Sequence, residues 1–466
     1  MAAREDKFGE EVIAAIATPP GTSGIGKVRI SGEGAVEVAD KIFYSPAGVK
    51  LAEVESHTIN YGFIRDLSGK EIDEVLALVM LSPRSFTRED TVEFDCHGGM
   101  LPLQGVLEAV LQAGARMAEP GEFSRRAFLN GRIDLAQAEG IIDLINAKSR
   151  RGREIALQQL RGRLSEHIDR LRSRLLEILT GVEASIDFPE DEIPELDSAD
   201  LGDQLKEIHS SLKDLIASSR TGRVYQEGVE TVIAGKPNVG KSSLLNYLLK
   251  ENRAIVTDIP GTTRDVISEL ISFAGLPLKI VDTAGIRQTE DQVEKIGVEK
   301  SQNSLKRADL VLFMLDVSQG ITAEDLEIYQ LVRDKPLIIL VNKTDLPADL
   351  SPGEIEERFA DHPVIFISIW EETGLQELKD RIYEIIMGGR AAGDYDYIIT
   401  RLRHQRALEE ASDSLERAIA AYRSGVPADL LAVDLKEVLI KLGEITGDTV
   451  TEDIIDRIFA DFCIGK

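Results

Sequence analysis

The octapeptide Gly235-Lys-Pro-Asn-Val-Gly240-Lys241-Ser242 constrains this chain more than any other stretch, because of what flanks it. The apolar run Val229–Ala234 precedes it, and Ser243–Leu249 reads as a helix behind it. A strand, a glycine-bounded loop and a helix in that order make an anion cradle. Backbone N–H groups wrap the phosphates and the helix N-terminus favours negative charge. Lys241 reaches the β and γ phosphates, and Ser242 offers a hydroxyl to Mg2+. Strand and helix patterns alternate from Val229 to Met387, the signature of a doubly wound α/β sheet.

Two further elements follow in order, each at the end of an apolar run. Asp282-Thr283-Ala284-Gly285 comes after Leu278–Val281, which places a carboxylate for the Mg2+ shell and a glycine N–H near the γ phosphate. Asn342-Lys343-Thr344-Asp345 comes after Leu337–Val341. The Asp345 carboxylate can accept both the N1–H and the N2 amine of guanine, a donor pair adenine lacks. Together they predict a GTP site contacted by Asn238, Val239, Gly240, Lys241, Ser242 and Ser243, by Asp282, Thr283, Ala284 and Gly285, and by Asn342, Lys343 and Asp345. Ile286 stands where Ras-type GTPases carry a water-orienting glutamine, so another group must do that work. Glu294 is the best acid nearby, and a solvated carboxylate at a helix start is the simpler reading of it. A near copy of the phosphate loop, Gly21-Thr-Ser-Gly-Ile-Gly26-Lys27-Val28, lacks the hydroxyl residue at its last position. Val28-Arg29-Ile30-Ser31 reads on as strand, so the segment is expected to be a glycine-rich turn.

The 466 residues suggest about three domains. Short β-rich runs and the helix near Leu101–Ala113 give an α+β domain over 1–120. From Leu157 to Ile186 apolar residues recur at spacings of three and four, predicting one long helix ended by Pro189. Leu201–Ile216 is amphipathic and leads to Gly222. After Gly388-Gly389 the pattern is helical again, with Leu430, Leu431, Leu435, Val438, Leu439 and Leu442 marking one helix. The expected architecture is an α+β domain, a discontinuous helical domain over 121–220 and 388–466, and an inserted Ras-like domain over 221–387. Cys96 and Cys463 are too far apart to suggest a metal pair, and no signal peptide or spanning stretch is apparent, so a cytoplasmic address without a membrane partner is expected. A net charge of −27 argues against non-specific binding to nucleic acid or anionic lipid. The basic segment 148–174 could touch RNA locally; a solvated helix face is the simpler reading.

The residues resemble the tRNA-modification GTPases called MnmE or TrmE over essentially the whole chain. The likeness includes Ile16-Ala-Thr-Pro-Pro-Gly21, Ser85-Phe-Thr-Arg-Glu-Asp90, His97-Gly-Gly99, Pro120-Gly-Glu-Phe-Ser124, Arg126-Ala-Phe-Leu-Asn130 and Asp134-Leu-Ala-Gln-Ala-Glu139. It continues through Ile186-Asp-Phe-Pro189 and the GTPase set to the tail Phe462-Cys-Ile-Gly-Lys466. The resemblance implies a potassium-dependent GTPase in which K+ stands in for an arginine finger, held by Asn238 and by the loop containing Thr257, Ile259 and Thr262. It implies Thr263 beside Ser242 on Mg2+ and Glu294 orienting the water, with Lys241 in the catalytic set. It also implies a homodimer and a folate-binding N-terminal domain in which Arg29, Glu93, Arg132 and Lys466 hold a 5-formyl- or 5,10-methylene-tetrahydrofolate. Arg132 stands where a lysine is expected, keeping the charge and changing the contact. Cys463 matches the family's tail cysteine, suspected of a role in the modification chemistry. A buried thiol and a prenylation box are its alternatives, with Lys466 a poor last residue for the latter. Ser368-Ile369-Trp370 replaces the usual Ser-Ala-Lys beside guanine, and the Ile369 N–H can still donate to the base.

The implied activity is an enzyme that, with the FAD-carrying flavoprotein MnmG in a heterotetramer, adds a carboxymethylaminomethyl or aminomethyl group to C5 of the wobble uridine of certain tRNAs. A ribosome-assembly or signalling switch that carries a related GTPase domain is the alternative. Such a switch has no need of the N-terminal domain or the Phe-Cys-Ile-Gly-Lys tail.

Overall fold

The computed structural model describes residues 11–187, 199–252, 268–282, 305–349, 351–388 and 397–466. By packing, the chain divides into two units: Met1–Ile142 with Gln159–Arg172 and Ile440–Lys466, and Asp143–Gln158 with Ser173–Leu439.

The first unit is built on a seven-stranded sheet. Its strands are β1 (Ile13–Ile16), β2 (Ile25–Ser31), β3 (Phe43–Tyr44), β4 (Thr58–Arg65), β5 (Glu71–Met80), β6 (Thr91–His97) and β7 (Arg116–Met117). They lie in the order β3-β4-β5-β6-β2-β1-β7, antiparallel except for the parallel pair β1 and β7. Period-two alternation sorts the side chains. Val28, Ile30, Val92, Phe94 and Cys96 form a core with Leu103, Val106 and Val110 of the helix Met100–Gln112. Lys27, Arg29, Glu93 and Asp95 therefore share the opposite face, and the register sets Arg29 across from Glu93 and Lys27 across from Asp95. The near copy of the phosphate loop is the entry to β2, which begins at Ile25 inside it.

The second unit carries a six-stranded sheet: β8 (Val229–Ala234), β9 (Ser268–Phe273), β10 (Leu276–Asp282), β11 (Leu310–Asp316), β12 (Leu337–Asn342) and β13 (Val364–Phe366). The order is β13-β12-β11-β8-β10-β9, parallel but for β9 against β10. Strands covered on both faces read as continuous apolar runs. β11 and β12 are buried along their whole length, with separate apolar clusters on each side of the sheet. The C-terminal ends of β8, β11 and β12 thus point to one edge, where ligands bind in such sheets.

Two helical expectations change. The stripe from Leu157 is carried by two helices, Arg150–Leu160 and Arg163–Asp187, because Gly162 adopts φ 82°, outside helical geometry. In contrast, the helix Ala199–Glu227 runs straight through Gly222. Glycine serves packing there: a Cβ would collide with the backbone carbonyl of Ile399.

Candidate functional site

The phosphate loop leaves the buried end of β8 and turns into the helix Lys241–Asn252. Gly235 and Gly240 take φ 142° and 110°, and Asn238, with φ 64°, is in the left-handed region that asparagine tolerates. The missing side chains make room for neighbours. A Cβ on Gly235 would meet the Met314 carbonyl of β11 at 2.5 Å, and one on Gly240 would strike the Asn342 amide. Asn342, itself buried, donates Nδ2 to the Val239 carbonyl at 2.8 Å, tying the end of β12 to the loop. Lys241 donates to the carbonyls of Gly235 at 2.6 Å and Lys236 at 2.7 Å, folding its ammonium into the cradle. Val239 is buried, while Asn238, Ser242 and Ser243 are exposed at the loop and the first helical turn.

The residues expected to contact the base converge at the same edge. Lys343, at φ 66°, donates Nζ to Asp316 Oδ2 at 2.6 Å. Burial pushes the Asp316 carboxyl up, but Lys343 and Ser318 outweigh it and hold the group below its ordinary value. Ser368 is fully buried and donates its hydroxyl to Asp345 Oδ1 at 2.6 Å, leaving exposed Asp345 pre-aimed. Ile369 packs partly buried beside it, and Trp370 at the lysine position is 89% exposed. The backbone of Asp282 ends β10 opposite Ile233 of β8. Thr257, Ile259, Thr262, Thr263, Thr283, Ala284, Gly285, Ile286 and Glu294 lie outside the described residues.

Sequence reasoning missed two supports of this site. Asp316 closes an otherwise apolar strand in register with Asn342, a signal that was there to read. Lys236, inside the loop, is buried and bonds Asp325 Oδ2 at 2.9 Å; Asp325 also caps the helix Ala323–Val332 through Thr322.

The four residues assigned to folate gather in the first unit. Arg29 donates Nε to Glu93 Oε1 at 2.7 Å and a terminal N–H to the Gly465 carbonyl at 3.2 Å. Its guanidinium lies 5.8 Å from the ring centre of Phe86 and 5.5 Å from that of Phe123. Lys27 reaches Glu93 at 2.5 Å and Asp95 at 2.9 Å. Burial raises the Glu93 carboxyl, but Arg29 and Lys27 together hold it below its usual value. Burial, then Arg29, pulls the Lys466 ammonium down. Arg132 stands 5.0 Å over Phe86 and donates to the Ser85 carbonyl at 3.0 Å. Behind this face, fully buried Arg126 bonds Glu122 at 2.9 Å and Glu89 at 3.2 Å, and Glu122 also takes two bonds from Arg116. That network takes up Glu89 of the Ser85–Asp90 segment and Glu122 and Arg126 of the Pro120–Asn130 segment.

Cys463 is exposed, which removes the buried-thiol reading, whereas Cys96 is buried with its thiol pushed up to about 12. In the basic segment, Arg151, Arg172 and Arg174 pair with Glu154, Asp448 and Glu207, as befits a solvated, ion-paired face. No described helix is long and apolar enough to cross a membrane.

Comparison with known proteins gives the family. Residues 12–132 match the family model described as GTP-binding protein TrmE N-terminus, and residues 135–463 match the MnmE helical domain. A tRNA modification GTPase MnmE of Alkaliphilus oremlandii is 51% identical over 98% of this chain and 99% of its own length. One from Geobacillus kaustophilus is 50% identical over 98% and 99% respectively. At that identity along the full length of both chains, with the guanine-nucleotide elements in place, this chain belongs to the MnmE family of tRNA modification GTPases.

Proposed function

We propose that this chain is a potassium-dependent, homodimeric GTPase. With the FAD-carrying flavoprotein MnmG, in a heterotetramer, it adds a carboxymethylaminomethyl or aminomethyl group to C5 of the wobble uridine of certain tRNAs. The observation that carries the reading is the pairing, in one chain, of a guanine site with a second site. In that second site Arg29, with the rings of Phe86 and Phe123 near its guanidinium, bonds both Glu93 and the Gly465 carbonyl of the tail that carries the exposed Cys463.

Two described side chains suit the nucleotide and the folate assigned to them. Asn342 Oδ1 is buried with no partner among the described residues, an acceptor left over at the base pocket. Glu93 offers a carboxylate to the paired N–H donors of a pterin, as Asp345 does to guanine. In the proposed cycle Lys241 exchanges its loop carbonyls for phosphate oxygens. Asp345, steadied by Ser368, selects the base. Ser242 and Thr263 would hold Mg2+; Asn238 with Thr257, Ile259 and Thr262 would hold K+; Glu294 would orient the water. Bound cations supply the positive charge that offsets charge developing on the phosphates. A bound tetrahydrofolate supplies the one-carbon unit, and Arg29, Glu93, Arg132 and Lys466 fix its orientation.

Steady-state GTP hydrolysis in matched potassium and sodium buffers tests the cation assignment. Turnover should be about tenfold or more faster in potassium. Equal rates in the two salts would remove K+ from the account.

A further inference from the structure

Arg84, Arg88 and Arg132 converge with His57 on an open cleft of about 560 Å³ that also takes in Ser85 and Phe86. In a chain of net charge −27, none of these three arginines has an ion-pair partner among the described residues. Two of the guanidiniums are steadied by neutral groups instead: Arg88 donates to the Asn130 carbonyl at 2.8 Å, and Arg132 to the Ser85 carbonyl at 3.0 Å with Phe86 beneath it. Carbonyl partners fix the geometry and leave the charge uncompensated. Burial and the like charge of Arg88 depress Arg132 accordingly.

Phe86 is the link to the site already described, since its ring lines the cleft and has both guanidiniums near it, Arg132 at 5.0 Å and Arg29 at 5.8 Å from the ring centre. We infer that this cleft binds the γ-linked oligoglutamate tail of the tetrahydrofolate, with Arg84 and Arg88 reading the carboxylates beyond the first. The inference rests on the folate reading of Arg29 and Glu93. Three guanidiniums match successive carboxylates, each a charge-assisted contact. The strongly acidic remainder of the chain favours a short anion held locally over a long polyanion that would track the surface.

Isothermal titration of the full-length protein with 5-formyl-tetrahydrofolate bearing one or three glutamates tests the assignment. The wild-type chain should bind the triglutamate about tenfold more tightly at low ionic strength, and the ratio should shrink in high salt. Arg84→Ala with Arg88→Gln should bring the ratio to about one, and Arg88→Lys should restore part of it. Equal wild-type affinities would overturn the tail cleft while the folate site stands. Failure of both ligands to bind would overturn the folate site and the cleft together. A double variant that keeps the ratio but loses tRNA affinity in filter binding would overturn the proposal in favour of an RNA phosphate contact.

Discussion

Ser368 donates its hydroxyl to Asp345 Oδ1 at 2.6 Å from a fully buried position, so the carboxylate proposed to read guanine is oriented before any base arrives. The same hydroxyl accepts from the Glu371 N–H at 3.1 Å, which fixes the turn that exposes Trp370. Ser368→Ala frees Asp345 and should weaken GDP binding about fivefold to tenfold, the worth of one ordinary hydrogen bond of about 1 kcal/mol. Fluorescence titration with a labelled GDP measures it. An unchanged affinity would mean that the base itself orients Asp345.

The Lys236–Asp325 pair is among the most enclosed ion pairs described, with side-chain exposures of 7% and 0%. Lys236→Met strands a buried carboxylate next to the phosphate loop and should cost about 3–5 kcal/mol in urea unfolding. Lys236→Met combined with Asp325→Leu should cost much less than the two single changes summed. Simple additivity would show that the pair is not coupled.

Glu122 accepts from Arg116 at 2.6 Å and 2.8 Å, from Arg126 at 2.9 Å and from the Glu119 N–H at 2.9 Å. Burial raises its carboxyl, but these donors together hold it below the ordinary 4.5. A folded value under the unfolded one lends stability that is present above the unfolded value and lost as pH falls through the folded one. Glu122→Gln should therefore cost about 3 kcal/mol near neutral pH and flatten the acid limb of the stability curve. Urea midpoints across acid pH measure both effects, and acid limbs of equal slope in the two proteins would count against the assignment.

Glu294→Gln should keep labelled-nucleotide affinity and lose turnover, about a hundredfold in kcat. Full activity in that variant returns Glu294 to a solvated surface carboxylate.

The guanine elements were legible because each rests on a local pattern: a glycine-bounded loop after a strand, and charged tetrapeptides closing apolar runs. The continuity of the Ala199–Glu227 helix was not, because Gly222 is required by Ile399, far away in sequence. The break at Gly162 leaves the apolar stripe in phase on both sides, so periodicity could not expose it. Arg29, Glu93 and Lys466 were nameable only through the family's motifs. Their meeting depends on β2–β6 register and on the return of the tail to the first unit, which no local pattern encodes. No sequence pattern singles out Arg84, and Arg88 stands only within the Ser85–Asp90 likeness; it is the fold that brings both to one cleft with Arg132.

The most direct test of the central claim is nucleoside analysis of wobble uridines in tRNA from a strain lacking this chain, complemented with wild-type protein or with Cys463→Ser. The account predicts loss of the C5 aminomethyl-type group without the chain, recovery with wild type, and no recovery with Cys463→Ser although that variant still hydrolyses GTP. An unchanged wobble-uridine profile in the deletion strain would contradict it.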